Sequence, residues 1–230
     1  MNSMSKALLA AALAAGTITT QVLPAAAQAH AAPGKAWVAG GVLIFAAGRG
    51  TSNRVVVTQQ SVHIYLVDDV AQITPGAGCA WSEVPDFTKV KCTVGLLSRV
   101  VVQTRDLDDI AISEVSKRSR IYGGGGDDQL TGGSGDDWLE GEQGNDTLTG
   151  RGGADHMTGG KGGDLLQGGW GEDNLYGDGG DDDLRGGPDN DELFGGSGHD
   201  KLHGQGGDTD FADGATGNDS CFAEQQLNCE

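Results

Sequence analysis

From Gly123 onward the chain repeats itself every nine residues. The units read GGGGDDQLT, GGSGDDWLE, GEQGNDTLT, GRGGADHMT, GGKGGDLLQ, GGWGEDNLY, GDGGDDDLR, GGPDNDELF, GGSGHDKLH and GQGGDTDFA, and after one inserted residue, Asp213, GATGNDSCF. Position 1 is always glycine, and position 6 is aspartate except in the tenth unit, which has Thr209. Position 8 is Leu130, Leu139, Leu148, Met157, Leu166, Leu175, Leu184, Leu193, Leu202 and Phe211 in turn. One aliphatic side chain in nine fits neither an amphipathic helix nor an ordinary alternating strand. No unit can bury that side chain alone, so the units must stack on one another.

The residue types say how. Glycine at positions 1, 2 and 4 allows positive φ and close backbone approach, so six residues make a tight turn with carbonyls aimed inward. Residues 7 to 9 then form a very short strand, with position 8 on one face and positions 7 and 9 on the other. Stacked units would gather the position-8 side chains into a thin core.

Charge divides the chain. Residues 123–222 hold 19 Asp and 4 Glu against Arg151, Lys161, Arg185 and Lys201, a net −19. Residues 32–122 hold 8 acids and 10 bases, a net +2. So acidic a stretch repels nucleic acid phosphates and anionic lipid, and its natural partner is a cation. Carboxylates and carbonyls are the oxygen-only ligands that Ca²⁺ prefers.

The pattern G-G-x-G-x-D-x-U-x resembles the RTX, or haemolysin-type, calcium-binding nonapeptide repeat. The resemblance covers about 100 residues and implies an all-β fold, a right-handed parallel β-roll preceded by a β-rich leader that caps it. In such a roll two units make one coil, unit n stacks on unit n+2, and the position-8 side chains lie between two sheets; at a strand spacing of about 4.8 Å, five coils are roughly 24 Å long. It also implies several Ca²⁺ ions, each held between successive turns on one edge by backbone carbonyls and position-6 aspartates. The residues so implicated are Asp128, Asp137, Asp146, Asp155, Asp164, Asp173, Asp182, Asp191, Asp200 and Asp219. Three departures stand out: Thr209 removes a carboxylate that Asp208 or Asp210 could replace, Asp189 takes a position-4 glycine's place beside Pro188, and Arg151 takes a second glycine's.

Upstream, Lys6 precedes the apolar run ALLAAALAA (7–15), followed by the small-residue sites AQA (27–29) and AHA (29–31). This reads as a signal peptide cleaved near Ala29 or Ala31, too short in its apolar run to be a membrane anchor. The expected organisation is a signal peptide over 1–31, a leader over 32–122, the roll over 123–222 and a tail over 223–230. Export fits four cysteines; short-range closure favours Cys79 with Cys92 and Cys221 with Cys229, and no Cys-x-x-Cys pair argues for zinc.

Residues 36–121 are rich in valine and isoleucine: WVAGGVLIFAA, NRVVVTQQ, VHIYLV, VKCTV, SRVVVQT and DIAIS read as short strands. Ile112 and Ile121 precede Leu130 by 18 and 9 residues, so stacking is expected to begin upstream of the recognisable repeats. This segment resembles the β-rich leader of secreted calcium-binding proteins of actinobacterial type. No His-Glu-x-x-His or Gly-x-Ser-x-Gly motif occurs, and His63 near Ser61, Asp68 and Asp69 in a strand is ordinary surface chemistry. His156, His199 and His203 fall at outward positions and read as solvated, while Tyr176 and Phe194 stack one coil apart at position 9, with Trp138 also outward. The expected function is a secreted, non-enzymatic calcium-binding protein without catalytic or organic-cofactor residues and without membrane insertion, serving as a structural or interaction module for an extracellular protein or glycan. The competing class is an enzyme, cytolysin or adhesin whose chemistry lies in the leader.

Overall fold

The computed structural model describes residues 33–69, 72–82 and 88–229, so the expected signal peptide lies outside the described residues. Those residues are strands and turns with no helix, in two sheets of eleven strands each. Over the repeats, successive units alternate between the sheets, and neighbours within a sheet run parallel at a register of 18 residues. Leu139 lies opposite Met157 and Leu175 opposite Leu193 in one sheet; Leu148 lies opposite Leu166 in the other. Unit n therefore stacks on unit n+2, as the nine-residue period requires, and the fold is a parallel β-solenoid. Leu130, Leu139, Leu148, Met157, Leu166, Leu175, Leu184, Leu193 and Leu202 are all 0% exposed, and they form the core between the sheets.

The tenth unit departs from the expected register. Its inserted residue sits inside the turn, so Asp210 precedes the strand Phe211–Gly217 and everything after it shifts by one. Ala212, not Phe211, lies opposite Leu193 and is fully buried, while Phe211 faces outward. A turn absorbs an extra residue without disturbing a ladder, whereas an insertion in a strand would reverse every side chain beyond it.

Stacking does begin before Gly123. Val102 lies opposite Ile121, and both are core residues. Ile112 does not follow: Ala111 lies opposite Leu130 and is buried, and Ile112 faces out beside Thr131. Again a longer turn, 19 residues from Ala111 to Leu130, shifts the phase. Further upstream, Arg54–Ser61 and Val42–Ala46 add parallel strands to the two sheets, opposite Ile110–Glu114 and Arg99–Asp106. Antiparallel pairs follow, Gly34–Ala39 on Val42–Ala46, Ile64–Asp68 on Arg54–Ser61 and Lys89–Thr93 on Ile64–Asp68, and Ile73–Pro75 ends one sheet as a parallel strand beside Gly34–Ala39. The core widens here to include Leu43, Phe45, Val57, Tyr65, Val67, Ile73 and Val90. Cys79 and Cys92 pair directly across two antiparallel strands and form one disulfide; Cys221 and Cys229 form the other at the opposite end.

Candidate metal centre

Each position-6 aspartate stands in the turn just before a strand, with its side chain folded inward. Asp128, Asp137, Asp146, Asp155, Asp164, Asp173, Asp182, Asp191, Asp200 and Asp219 are all buried, at no more than 3% exposure. Because alternate units feed alternate sheets, these residues form two columns, one along each edge of the roll. In one, the backbone N–H of Asp128 donates to Oδ1 of Asp146 (2.7 Å), and the same bond recurs from Asp146 to Asp164, Asp164 to Asp182, Asp182 to Asp200 and Asp200 to Asp219. In the other it runs from Asp137 to Asp155, Asp173, Asp191 and Asp210. Asp210 thus occupies the place that Thr209 holds in the sequence pattern. Asp109 also joins the first column, since its N–H donates to Asp128 Oδ1 at 2.8 Å. The period alone misses Asp109 because it stands 19 residues before Asp128, one out of phase; the alternating Ile110-Ala111-Ile112 after it was the available signal.

One oxygen of each carboxylate is thereby used. Oδ2 of Asp128, Asp146, Asp155, Asp164, Asp173, Asp182, Asp191, Asp200 and Asp219 is buried without a hydrogen-bond partner. Desolvation of a carboxylate disfavours its charged form. Burial accordingly raises Asp155 to about 8 and Asp128, Asp182 and Asp191 to about 7, N–H donation opposing and neighbouring carboxylates adding to the rise. Asp137, Asp146 and Asp173 are raised to about 6 by the same burial, and Asp164 and Asp200 are raised as well. Unit charges about 5 Å apart repel by roughly 3 kcal/mol per neighbouring pair at an effective dielectric near 20. Burial and mutual repulsion therefore both work against the charged form in the metal-free columns.

The free oxygens face a space of their own. A Cβ on Gly123 would collide with Asp128 Oδ2 and press on the Gly141 carbonyl oxygen one coil on. Gly132, Gly141, Gly150, Gly168 and Gly177 repeat this arrangement, each beneath its own aspartate and the carbonyl of the glycine one coil further on. Glycine at position 1 keeps that cradle open, and its lining is oxygen only, the donor type of a hard divalent cation. Among the described residues no three His, Cys, Asp or Glu side chains gather into a metal-holding group. Each coil supplies a single carboxylate per edge, so backbone carbonyls must make up most of any ligand set, which suits Ca²⁺ rather than zinc.

The turns keep their shape where glycine is missing. Glu142, Arg151, Asp178 and Gln205 at position 2 and Asp189 at position 4 all take φ between 71° and 80°. Only glycine adopts this region without cost, so the stacked coils hold these side chains in it. Position 5 forms a separate, solvent-exposed ladder: Asn145 N–H donates to Asp127 Oδ1 (2.8 Å), Gly163 to Asn145 and His199 to Asp181.

Outside the columns, aromatic residues line one sheet face. Arg120 lies over Trp138, and the rings continue through His156, Tyr176, Phe194 and Phe211, with Tyr176 and Phe194 stacked at 4.9 Å. His156 and His203 are therefore not freely solvated: His156 sits half-buried between Trp138 and Tyr176, where burial lowers its pKa, and His203 stacks on Phe222. His63 lies in the turn between two antiparallel strands, whereas Asp69 lies beyond the far end of the second and accepts the Arg54 N–H. The strand length separates them.

A scan against protein families matches the RTX calcium-binding nonapeptide repeat in four copies, over residues 119–148, 149–184, 176–209 and 185–221. Searches of curated proteins and of solved structures returned no match.

Proposed function

The chain is an RTX calcium-binding repeat protein, and from that premise we propose that it is a secreted, non-enzymatic module whose roll folds around Ca²⁺ held by the two aspartate columns. The observation that carries this reading is the row of buried Oδ2 atoms without a partner, of which those of Asp128, Asp146, Asp155, Asp173 and Asp182 meet a carbonyl oxygen of the next coil above a position-1 glycine. Asp128, Asp146, Asp164, Asp182, Asp200 and Asp219 would hold ions along one edge, and Asp137, Asp155, Asp173, Asp191 and Asp210 along the other. When bound, calcium would supply positive charge and coordination to the unpartnered Oδ2 atoms; Asp137 differs, its Oδ2 already accepting the Gly133 N–H. The residues themselves fix the carboxylates: each Oδ1 is held by an N–H of the adjacent coil, so each Oδ2 is aimed before an ion arrives.

Export is supported by Lys6 and the apolar run 7–15 of the expected signal peptide, and by two disulfides, which persist in oxidising compartments. Residues 1–31 would be removed, 32–122 would cap the roll formed by 123–222, and 223–230 would close its other end through Cys221 and Cys229. An interaction role is supported by the aromatic row from Trp138 to Phe211, which presents flat apolar rings between polar neighbours. A non-enzymatic role is supported by the separation of His63 from Asp69 and by the commitment of the roll's side chains to core and columns.

The test is a calcium titration of the mature chain followed by far-ultraviolet circular dichroism. A β-signal that rises with calcium in the extracellular range, about 10⁻⁴ to 10⁻³ M, is expected. A spectrum already complete in excess chelator and unchanged by calcium would sink the reading. Hydrolytic turnover by the calcium-loaded protein that a Ser61→Ala, His63→Ala double variant abolishes would overturn the non-enzymatic part.

A further inference from the structure

We propose that the calcium column on one edge runs one coil beyond the recognisable repeats, to a site in the leader built on Asp109. This rests on the reading that the columns bind calcium. Residues 104–112, TRDLDDIAI, lie outside the matched repeats, yet they follow the repeat's geometry position by position. Arg105 and Leu107 stand at positions 2 and 4 with φ of 88° and 73°, the conformation that glycine takes in the units downstream. Asp109 stands at position 6, Ala111 at the buried position 8, and Ile110 and Ile112 beside it.

Asp109 behaves as the repeat aspartates do. It is 1% exposed, and its N–H donates to Asp128 Oδ1 at 2.8 Å. Its Oδ1 accepts the backbone N–H of Asn53 and, at 3.1 Å, the Asn53 side-chain amide. Its Oδ2 is buried without a partner. A buried carboxylate oxygen left without a hydrogen-bond partner is costly. Thr104 holds position 1 in place of glycine: its side chain stands where the downstream units are open, and its hydroxyl donates to the Tyr122 and Gly123 carbonyls at 3.1 and 3.0 Å, so this coil offers a hydroxyl oxygen beside Asp109 in place of the open cradle.

The opposite edge ends differently. There the residue preceding Asp137 in the column is Ser119, whose N–H donates to Asp137 Oδ1. Ser119 and Ser113, at the positions of aspartate and first glycine, hydrogen-bond to each other through their hydroxyls at 2.7 Å. That pair is neutral and satisfied, and it has no use for a cation. The two edges therefore terminate at different heights. The longer one reaches into the leader, where Asn53 donates to Asp109 and Asp69 accepts the next N–H, that of Arg54, so the strand Arg54–Ser61 is coupled to calcium.

The test compares calcium bound per chain at saturation, by equilibrium dialysis, in the mature wild type and in Asp109→Asn, Asp164→Asn and Ser113→Ala. Asp109→Asn should bind one ion fewer with the remaining sites unchanged, Asp164→Asn should also lose calcium, and Ser113→Ala should match the wild type. Loss in Asp164→Asn with a full count in Asp109→Asn overturns this site and leaves the repeat columns standing. A wild type that binds no calcium overturns the underlying reading instead. A second measurement guards against an Asp109→Asn chain that does not fold: amide hydrogen exchange on the wild type, with calcium and with chelator. The Asn53 and Asp109 amides should exchange more slowly with calcium, and equal exchange in both conditions overturns the proposal.

Discussion

The leader and the roll share two continuous sheets but are held together by different forces. In the leader, Leu43, Phe45, Val57, Tyr65, Val67 and Val90 fill a core several side chains wide, strands pair in both senses, and a disulfide closes one hairpin. In the roll, each unit of nine residues contributes one leucine or its equivalent, and each turn buries a carboxylate. At about 25 cal/mol per Å² of apolar surface, the leader gains far more per residue from burial than the roll does. The net charges, +2 against −19, run the same way. Two halves of one solenoid can therefore look alike in backbone and differ in what they need from solution.

The largest expected effect separates them directly. In excess chelator, amides of residues 123–222 should lose hydrogen-exchange protection while those of Val57, Val67 and Val90 keep it. Equal protection in both regions would break the comparison. Acid should sharpen it. Asp128, Asp137, Asp146, Asp155, Asp173, Asp182 and Asp191 titrate near 4 when unfolded and are raised by burial to about 6 to 8 in the metal-free roll. The folded state then holds more protons between these values. That contribution to stability is fully present below about pH 4 and is lost as pH rises through about 6 to 8. A chelated roll should gain β-structure on acidification from pH 8 towards 5, with no matching change in the leader; the reverse trend would contradict the burial argument.

Next comes the choice of column. Asp164→Ala should raise the calcium midpoint by about tenfold, a change of roughly 1.4 kcal/mol, whereas Asp127→Ala, on the exposed position-5 ladder, should stay within about 0.5 kcal/mol. Equal shifts would mean that position 6 is not the ligand column. The smallest effect concerns backbone strain. Arg151 holds φ at 79° where most units have glycine, so Arg151→Gly should stabilise the calcium-loaded roll by up to about 1 kcal/mol, read as a small rise in melting temperature.

The repeats were legible because their signal is local. A fixed offset between glycine, aspartate and leucine implies turn, carboxylate and core at one stroke, and the 18-residue register follows from it. Phe211 and Ile112 were misplaced for a shared reason: an inserted turn residue leaves the strands intact but resets the count, and period alone cannot say where in a unit the insertion lies. Asp210 and Asp109 are the same lesson seen from the turn side. His156 read as solvated because nothing in its own unit reveals Trp138 one coil before it and Tyr176 one coil after.

The sequence by itself determined the coil, its stacking interval, the aliphatic core and the carboxylate in every turn, because each depends on residues within nine or eighteen positions of one another. The tertiary structure decided which oxygen of each carboxylate is used and which is left, where each column ends, and how the outward rings meet. Those outcomes depend on contacts between coils, between 14 and 56 residues apart along the columns, and on how each turn absorbs its extra residue, which only the packed chain resolves.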